Sequence, residues 1–173
     1  AARDGSERVV MSLFVNPSQF GAGEDLERYP RPREADLAIA GSAGVDVVFA
    51  PSADEIYPPG FATTVDPGPL AGELCGASRP GHFAAVATIV TKVFGLVRPQ
   101  TAYFGAKDYQ QLTIVRQTVR DLSLAVEVVG VPTVRDPDGL ALSSRNVFLS
   151  PAERAQAVTL FAGLRAAEAA YAA

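Results

Sequence analysis

HFAAVATIVTKVFGLVRPQTAYFGAKDYQQLTIVRQTVRDLSLAVEVVGV, residues 82–131, is the stretch on which the fold turns. Residues 82–97 are apolar around most of a helical surface, and 101–105 form a short run that suits a buried strand. Residues 108–122 repeat at helical spacing, and 125–131 return to a β-branched apolar run. Apolar strands that alternate with helices predict an α/β protein with a parallel sheet covered by helices on both faces.

The same rhythm extends outward. VVMSLFV at 9–15 reads as a buried strand that stops at the turn Asn16-Pro17. A polar stretch at 21–32 leads to a helix over 33–43, with Gly44 where a helix C-cap is expected, and VDVVFA at 45–50 is a second strand. At the far end Ser150, Pro151 and Glu153 form a helix start, followed by an Ala-rich helical run over 151–173. That helix meets no stop signal and the first strand begins close to residue 1, so both ends are expected to be truncations of a longer fold.

Composition narrows the function classes. Of the 173 residues 48% are hydrophobic and 20% charged, and the net charge is -4. This predicts a soluble, cytosolic globular chain without nucleic acid or an anionic membrane as its main partner. No apolar run reaches the roughly 20 residues of a membrane-spanning helix. One cysteine, Cys75, excludes an internal disulfide framework, and with the single histidine His82 it is too few for a structural zinc site. Cys75 is expected to be a small buried or half-buried residue, because no base partner is evident.

Ligands of parallel sheets bind outside the carboxyl ends of the strands, and three strand ends carry polar clusters. Asn16 to Phe20 follow the first strand; Gly105, Ala106, Lys107 and Asp108 follow the third, with Gln110 and Gln111 on the next helix; Leu142, Ser143, Ser144 and Arg145 come after the turn 136–139. Gly105 allows close backbone approach, and Asp108 sits at a helix start, where N–H groups and the dipole favour anions. Lys107 is a point charge suited to phosphate, and Ser143, Ser144 and Arg145 are a phosphate-binding set. Gln19 and Gln111 can each donate and accept, as a small hydroxy acid requires. Plainer readings stand beside these: Lys107 and Asp108 as a solvated pair or a helix cap, Ser-Ser-Arg as a mere loop, Gln19 as the end of a turn, and His82 as the residue that orders a helix start. No P-loop and no G-x-G-x-x-G fingerprint is present.

FVNPSQF at 14–20, RPGHF at 79–83, FGAKDYQQL at 104–112 and DGLALSSRN at 138–146, with EDLERYP at 24–30 and IYP at 56–58 between them, resemble the pantothenate synthetases in order and spacing over almost the whole chain. The resemblance implies a Rossmann-like fold of the nucleotidylyltransferase type. It also implies the ATP-dependent condensation of pantoate with β-alanine through pantoyl adenylate, a ligase step towards coenzyme A. Gln19 and Gln111 would hold pantoate, with Gln19 near β-alanine, Asn16 and His82 in support, and Val86, Ile89 and Val90 against the gem-dimethyl group. Gly105, Ala106, Lys107 and Asp108 would bind ATP, with Val134 and Leu142 near the adenine and Ser143, Ser144 and Arg145 on the triphosphate. Lys107, Ser143 and Arg145 would be catalytic, with Mg²⁺ accompanying ATP, its ligands unassigned. A homodimer is implied as well.

Departures from the family pattern matter. The H-x-G-H segment, the family's first strand and its C-terminal lid domain do not occur in these residues, and Ala106 stands where the family has Glu. The expected organisation is a Rossmann-like core over 1–150 and, over 151–173, the start of a helix leading to the lid. These residues alone are expected to make a weak or inactive catalyst. A non-catalytic nucleotide-binding fragment and another adenylyltransferase of the superfamily are the alternatives.

Overall fold

The computed structural model describes residues 1–172. The chain divides into two units, Ala1–Val131 and a second that begins at Pro132. The first holds α1 (Ala2–Gly5), β1 (Val10–Ser12), α2 (Arg33–Ser42), β2 (Val47–Phe49), α3 (Ala53–Ile56), α4 (Cys75–Ser78), α5 (His82–Val97), β3 (Thr101–Gly105), α6 (Tyr109–Asp121) and β4 (Glu127–Val131); the second holds α7 (Pro151–Tyr171). The division at 131 differs from that expected at 150, because 132–150 is tied to α7. Arg154 on its first turn donates to Asp136 and to Asp138, each at 2.8 Å.

The α/β class is as expected, and all strand pairing is parallel, but the ladder differs from one continuous sheet. β1 pairs with β2 and β3 with β4, giving two two-stranded sheets. Each is a strand–helix–strand unit whose crossover helix, α2 or α6, returns the chain in the parallel direction. Ladders reach only as far as both partners extend, so β1 and β2 are three residues each, shorter than the apolar runs that contain them.

α5 anchors the first unit. Phe83, Val86 and Phe94 meet Ile114 and Val115 of α6, and Ala102, Phe104 and Val128 pack against that cluster from the sheet. The spacing 83, 86, 90, 94 is an i, i+3, i+7 stripe towards that cluster, and Ala87, Thr88 and Ile89 are buried as well, so the middle of α5 is enclosed on more than one side. Two buried threonines of these helices find partners: Thr88 donates to the Ala84 carbonyl at 2.7 Å and accepts from the Val65 N–H at 2.9 Å, and Thr118 donates to the Ile114 carbonyl at 2.9 Å, whereas the buried Thr91 hydroxyl of α5 has no hydrogen-bond partner among the described residues. Cys75, expected to be at least half-buried, is exposed at the start of α4, where its backbone N–H donates to Gln110.

Helix ends follow local chemistry. After α2, the Val45 N–H reaches the Ala40 carbonyl at 3.0 Å and the Gly44 N–H that of Gly41 at 3.1 Å, a Schellman closure around a glycine with φ of 76°. α6 ends identically, with Leu124 to Val119 at 2.9 Å and Ser123 to Arg120 at 3.2 Å, but the left-handed residue is Ser123, φ 51°. A Cβ in that region costs about 1–2 kcal/mol, part of which glycine returns as greater freedom of the unfolded chain. Ser123→Gly is therefore expected to stabilise the fold by roughly 0.5–1 kcal/mol. Thermal denaturation checks it, and a lower melting temperature would refute the assignment.

Candidate functional site

A cleft of about 430 Å³ in the first unit is lined by Ser18, Gln19, Phe20, Glu24, Arg79 and His82 among others. Two segments supply it, the turn that follows β1 and the chain entering α5. The turn is set by Asn16, which is 4% exposed. Its Oδ1 accepts from Ser18 Oγ and from the Tyr57 hydroxyl, both at 2.8 Å, and its Nδ2 donates to the Ala85 carbonyl at 3.4 Å. Asn16 thus spends its amide inside the protein, holding the single 3₁₀ turn Pro17–Gln19 in place. Gln19 and His82, 63 residues apart, come together: His82 Nδ1 lies 2.9 Å from the Gln19 carbonyl.

Two residues given no role by sequence reasoning hold the cleft. Arg79 grips Glu24 bidentately, Nε to Oε1 at 2.7 Å and Nη2 to Oε2 at 2.6 Å. Both side chains are less than a third exposed, so this pair is sheltered better than an ordinary surface ion pair. The sequence signal was present, since Glu24 and Arg79 open two of the quoted motifs. Their opposite charges are 55 residues apart, however, and a single sequence does not pair them. Val86, expected beside the substrate, belongs to the apolar core, and Val90 packs against it.

At the carboxyl end of β3, Gly105 leads into the 3₁₀ turn Ala106–Asp108 and then α6. Lys107 Nζ is 3.3 Å from Asp108 Oδ1, and both side chains are exposed. Asp108 occupies the N-cap position of α6 but makes no side-chain capping bond, so the first-turn N–H groups of α6 lack a side-chain cap. Gln110 and Gln111 part company here. Gln110 donates to the Leu70 and Glu73 carbonyls and accepts from Cys75 N–H, lashing the 70–75 loop to the helix, whereas Gln111 is half-buried one position on.

The second unit presents its own cluster. Val134 and Leu142, both exposed, are joined by a 2.9 Å hydrogen bond from the Leu142 N–H to the Val134 carbonyl, beside the antiparallel bridge Arg135–Ala141. Ser143 Oγ caps the 3₁₀ turn Ser144–Phe148 by accepting from Arg145 N–H, and Ser144 and Arg145 are exposed. The preceding turn requires glycine: Gly139 has φ of 95°, and a Cβ there would meet the Phe161 ring at 2.5 Å. Arg135 stacks on the same ring, 4.0 Å from its centroid.

Protonation adds a test. The hydrogen bond from Arg79, reinforced by its charge, holds the Glu24 carboxyl below its ordinary value against an opposing effect of burial. A depressed carboxylate contributes stability above its unfolded pKa of about 4.3, and that contribution fades as pH falls through the folded value. Glu24→Gln should therefore melt lower near neutrality and lose less stability on acidification below about pH 4.5 than the unsubstituted protein. Melting curves from neutrality into acid check it, and parallel acid limbs for the two proteins would refute it.

Comparison with known proteins follows the same contours. The profile of the Pantoate-beta-alanine ligase family matches residues 1–173. The chain is 60% identical over 161 residues to the pantothenate synthetase of Trichlorobacter lovleyi, covering 91% of itself and 57% of that protein. It is 56% identical to pantothenate synthetase 1 of Bradyrhizobium diazoefficiens, covering 96% of itself and 59% of the relative. The crystal structure of the Thermus thermophilus pantothenate synthetase superposes with a TM-score of 0.89 at 61% identity, over 92% of this chain and 58% of that one. The Francisella tularensis pantoate-beta-alanine ligase, solved in complex with beta-gamma ATP and beta-alanine, also gives 0.89, at 39% identity, over 95% and 63%. The chain thus spans less than two thirds of the length of these relatives, and along its whole length it belongs to the pantoate-beta-alanine ligase family.

Proposed function

We propose that the protein carrying this chain condenses pantoate with β-alanine at the expense of ATP, releasing AMP and pyrophosphate. The observation that carries the reading is the convergence of Gln19 and His82 on one cleft in a chain that matches the family from end to end. In the first step a pantoate carboxylate oxygen bonds to the α-phosphorus of ATP, and the bond from that phosphorus to pyrophosphate breaks. In the second the β-alanine amine attacks the acyl carbon of the adenylate; AMP leaves and the amine loses a proton.

Each residue has a physical task in this scheme. Gln19 and Gln111 orient pantoate by neutral hydrogen bonds, which leave its carboxylate nucleophilic where an unpaired cation would neutralise it. Lys107 and the first-turn N–H groups of α6, which lack a side-chain cap, favour phosphate charge that develops as pyrophosphate departs. Ser143, Ser144 and Arg145 offer hydroxyls and a fork-shaped cation to the triphosphate, and Val134 and Leu142 offer apolar surface to the adenine. Among the described residues no group of three or more His, Cys, Asp or Glu could hold a metal ion. In this reading Mg²⁺ arrives with the ATP substrate, carried by its phosphates. The reading further places the protein in the cytoplasm as a homodimer; no described helix is long and apolar enough to cross a membrane.

Pantoate-dependent exchange of labelled pyrophosphate into ATP, without β-alanine, tests the first step. Exchange that requires pantoate is the expected result, and none would overturn the reading. Lys107→Met should slow exchange by about 10²–10³-fold, the loss typical of one donor to a developing anion. Gln111→Ala should raise the pantoate KM by roughly 10-fold or more, one hydrogen bond to a charged group, with the ATP KM little changed. A change confined to ATP would contradict the assigned role.

A further inference from the structure

We propose that Glu24, Arg79 and His82 form a positioning chain that locks the Gln19 peptide, and hence the substrate-side placement of Gln19, with His82 as a neutral imidazole protonated at Nδ1. The pantoate part of this inference rests on the function proposed above; the protonation part stands on the geometry.

Arginine has five N–H donors and no acceptor. At least four of them have partners here: Nε and one Nη2 proton on the Glu24 carboxylate, a second Nη2 proton on the Gln19 carbonyl at 3.1 Å, and an Nη1 proton 3.0 Å from His82 Nε2. Because Arg79 can only donate, His82 Nε2 must present its lone pair. The proton of the ring is then on Nδ1, which donates to the same Gln19 carbonyl at 2.9 Å. Two donors on one oxygen use both its lone pairs and leave the peptide between Gln19 and Phe20 little freedom to rotate.

The ends of the chain are themselves fixed. His82 is the first residue of α5 and stacks edge-on against Phe83, centroids 4.8 Å apart, which is part of the core. Glu24 orients the guanidinium and balances its charge. An arginine used this way shapes the cleft, and its pairing with Glu24 keeps the net charge beside Gln19 low. Lysine cannot replace it, because a point ammonium does not span a carboxylate, an imidazole and a carbonyl at once.

The experiment has two arms on the intact protein. Imidazole ¹⁵N signals of His82, identified by their loss in His82→Gln, report its tautomer at neutral pH; pyrophosphate exchange in Arg79→Lys and Glu24→Gln reports pantoate and ATP KM separately. The expected results are the Nδ1–H neutral tautomer in the unsubstituted protein and its loss in Arg79→Lys. Each variant should also show a roughly 10-fold or greater rise in pantoate KM, with kcat and ATP KM within about 2-fold. An Nε2–H or doubly protonated His82 in the unsubstituted protein overturns the chain, and this measurement decides even where a variant fails to fold. Unchanged pantoate KM in variants of an exchanging protein sinks the inference alone. No pantoate-dependent exchange in the unsubstituted protein sinks the inference together with the proposed function.

Discussion

The burial of α5, enclosed around most of its middle turns, is the constraint on which the first unit depends. Val86 and Ala87 are 1% and 0% exposed, and Ile114 and Val115, in the same core cluster as Val86, are both 0% exposed, so the helix has no freedom to slide or roll without opening voids in a close-packed interior. Both of its ends are closed by left-handed residues, Gly81 before it and Arg98 after it. A helix pinned in this way fixes whatever stands on its first turn. His82 therefore has a defined place before any ligand arrives, and the polar chain through Arg79 transmits that place to the turn after β1.

Polar groups in the interior follow the same economy. Asn16 accepts two hydroxyl hydrogen bonds and donates to Ala85, so a buried amide becomes the knot joining three segments rather than a liability. Gln110 does likewise for the 70–75 loop. Close backbone packing is involved as well: a Cβ on Gly76 would lie 1.7 Å from the Ala71 carbonyl oxygen, so only glycine permits that approach. In the second unit, two carboxylates of one turn converge on Arg154, and a capping box of Ser150 and Glu153 starts the helix that bears it. Both units thus hold their loops by side chains that reach back to a helix.

Much of this was legible in residue order. The bounds 82–97 and 101–105 coincide with α5 and β3, because a long apolar periodic helix and a short, mostly apolar run with two aromatics after Pro99 are strong local signals. The capping box at Ser150 and the closure at Gly44 were readable for the same reason: each lies within a few residues of chain. β1 and β2 were read too long, since apolar content marks a buried strand while ladder length depends on the partner. Cys75, expected to be buried or half-buried, is exposed, because its exposure is set by a loop whose path no local pattern encodes. Gln19 and His82, which line the cleft, stand in motifs that local sequence displays, whereas the bond between Glu24 and Arg79 was not legible.

By itself, the sequence determined the α/β class, the succession of strands and helices, the family and the positions of the polar strand ends. Periodicity, caps and turn residues act over a few positions, and ordered motifs survive as text. Only the tertiary structure decided that Asn16 and Gln110 are spent on the scaffold, that Val86 is core, that the strands pair as two ladders, and that Arg79 joins Glu24, His82 and Gln19. Those outcomes depend on which donors meet which acceptors across 35 to 69 residues of chain. Chain separation carries no information about such meetings; packing an apolar core brings the groups together, and the cost of leaving a buried polar group unpaired then selects the partners.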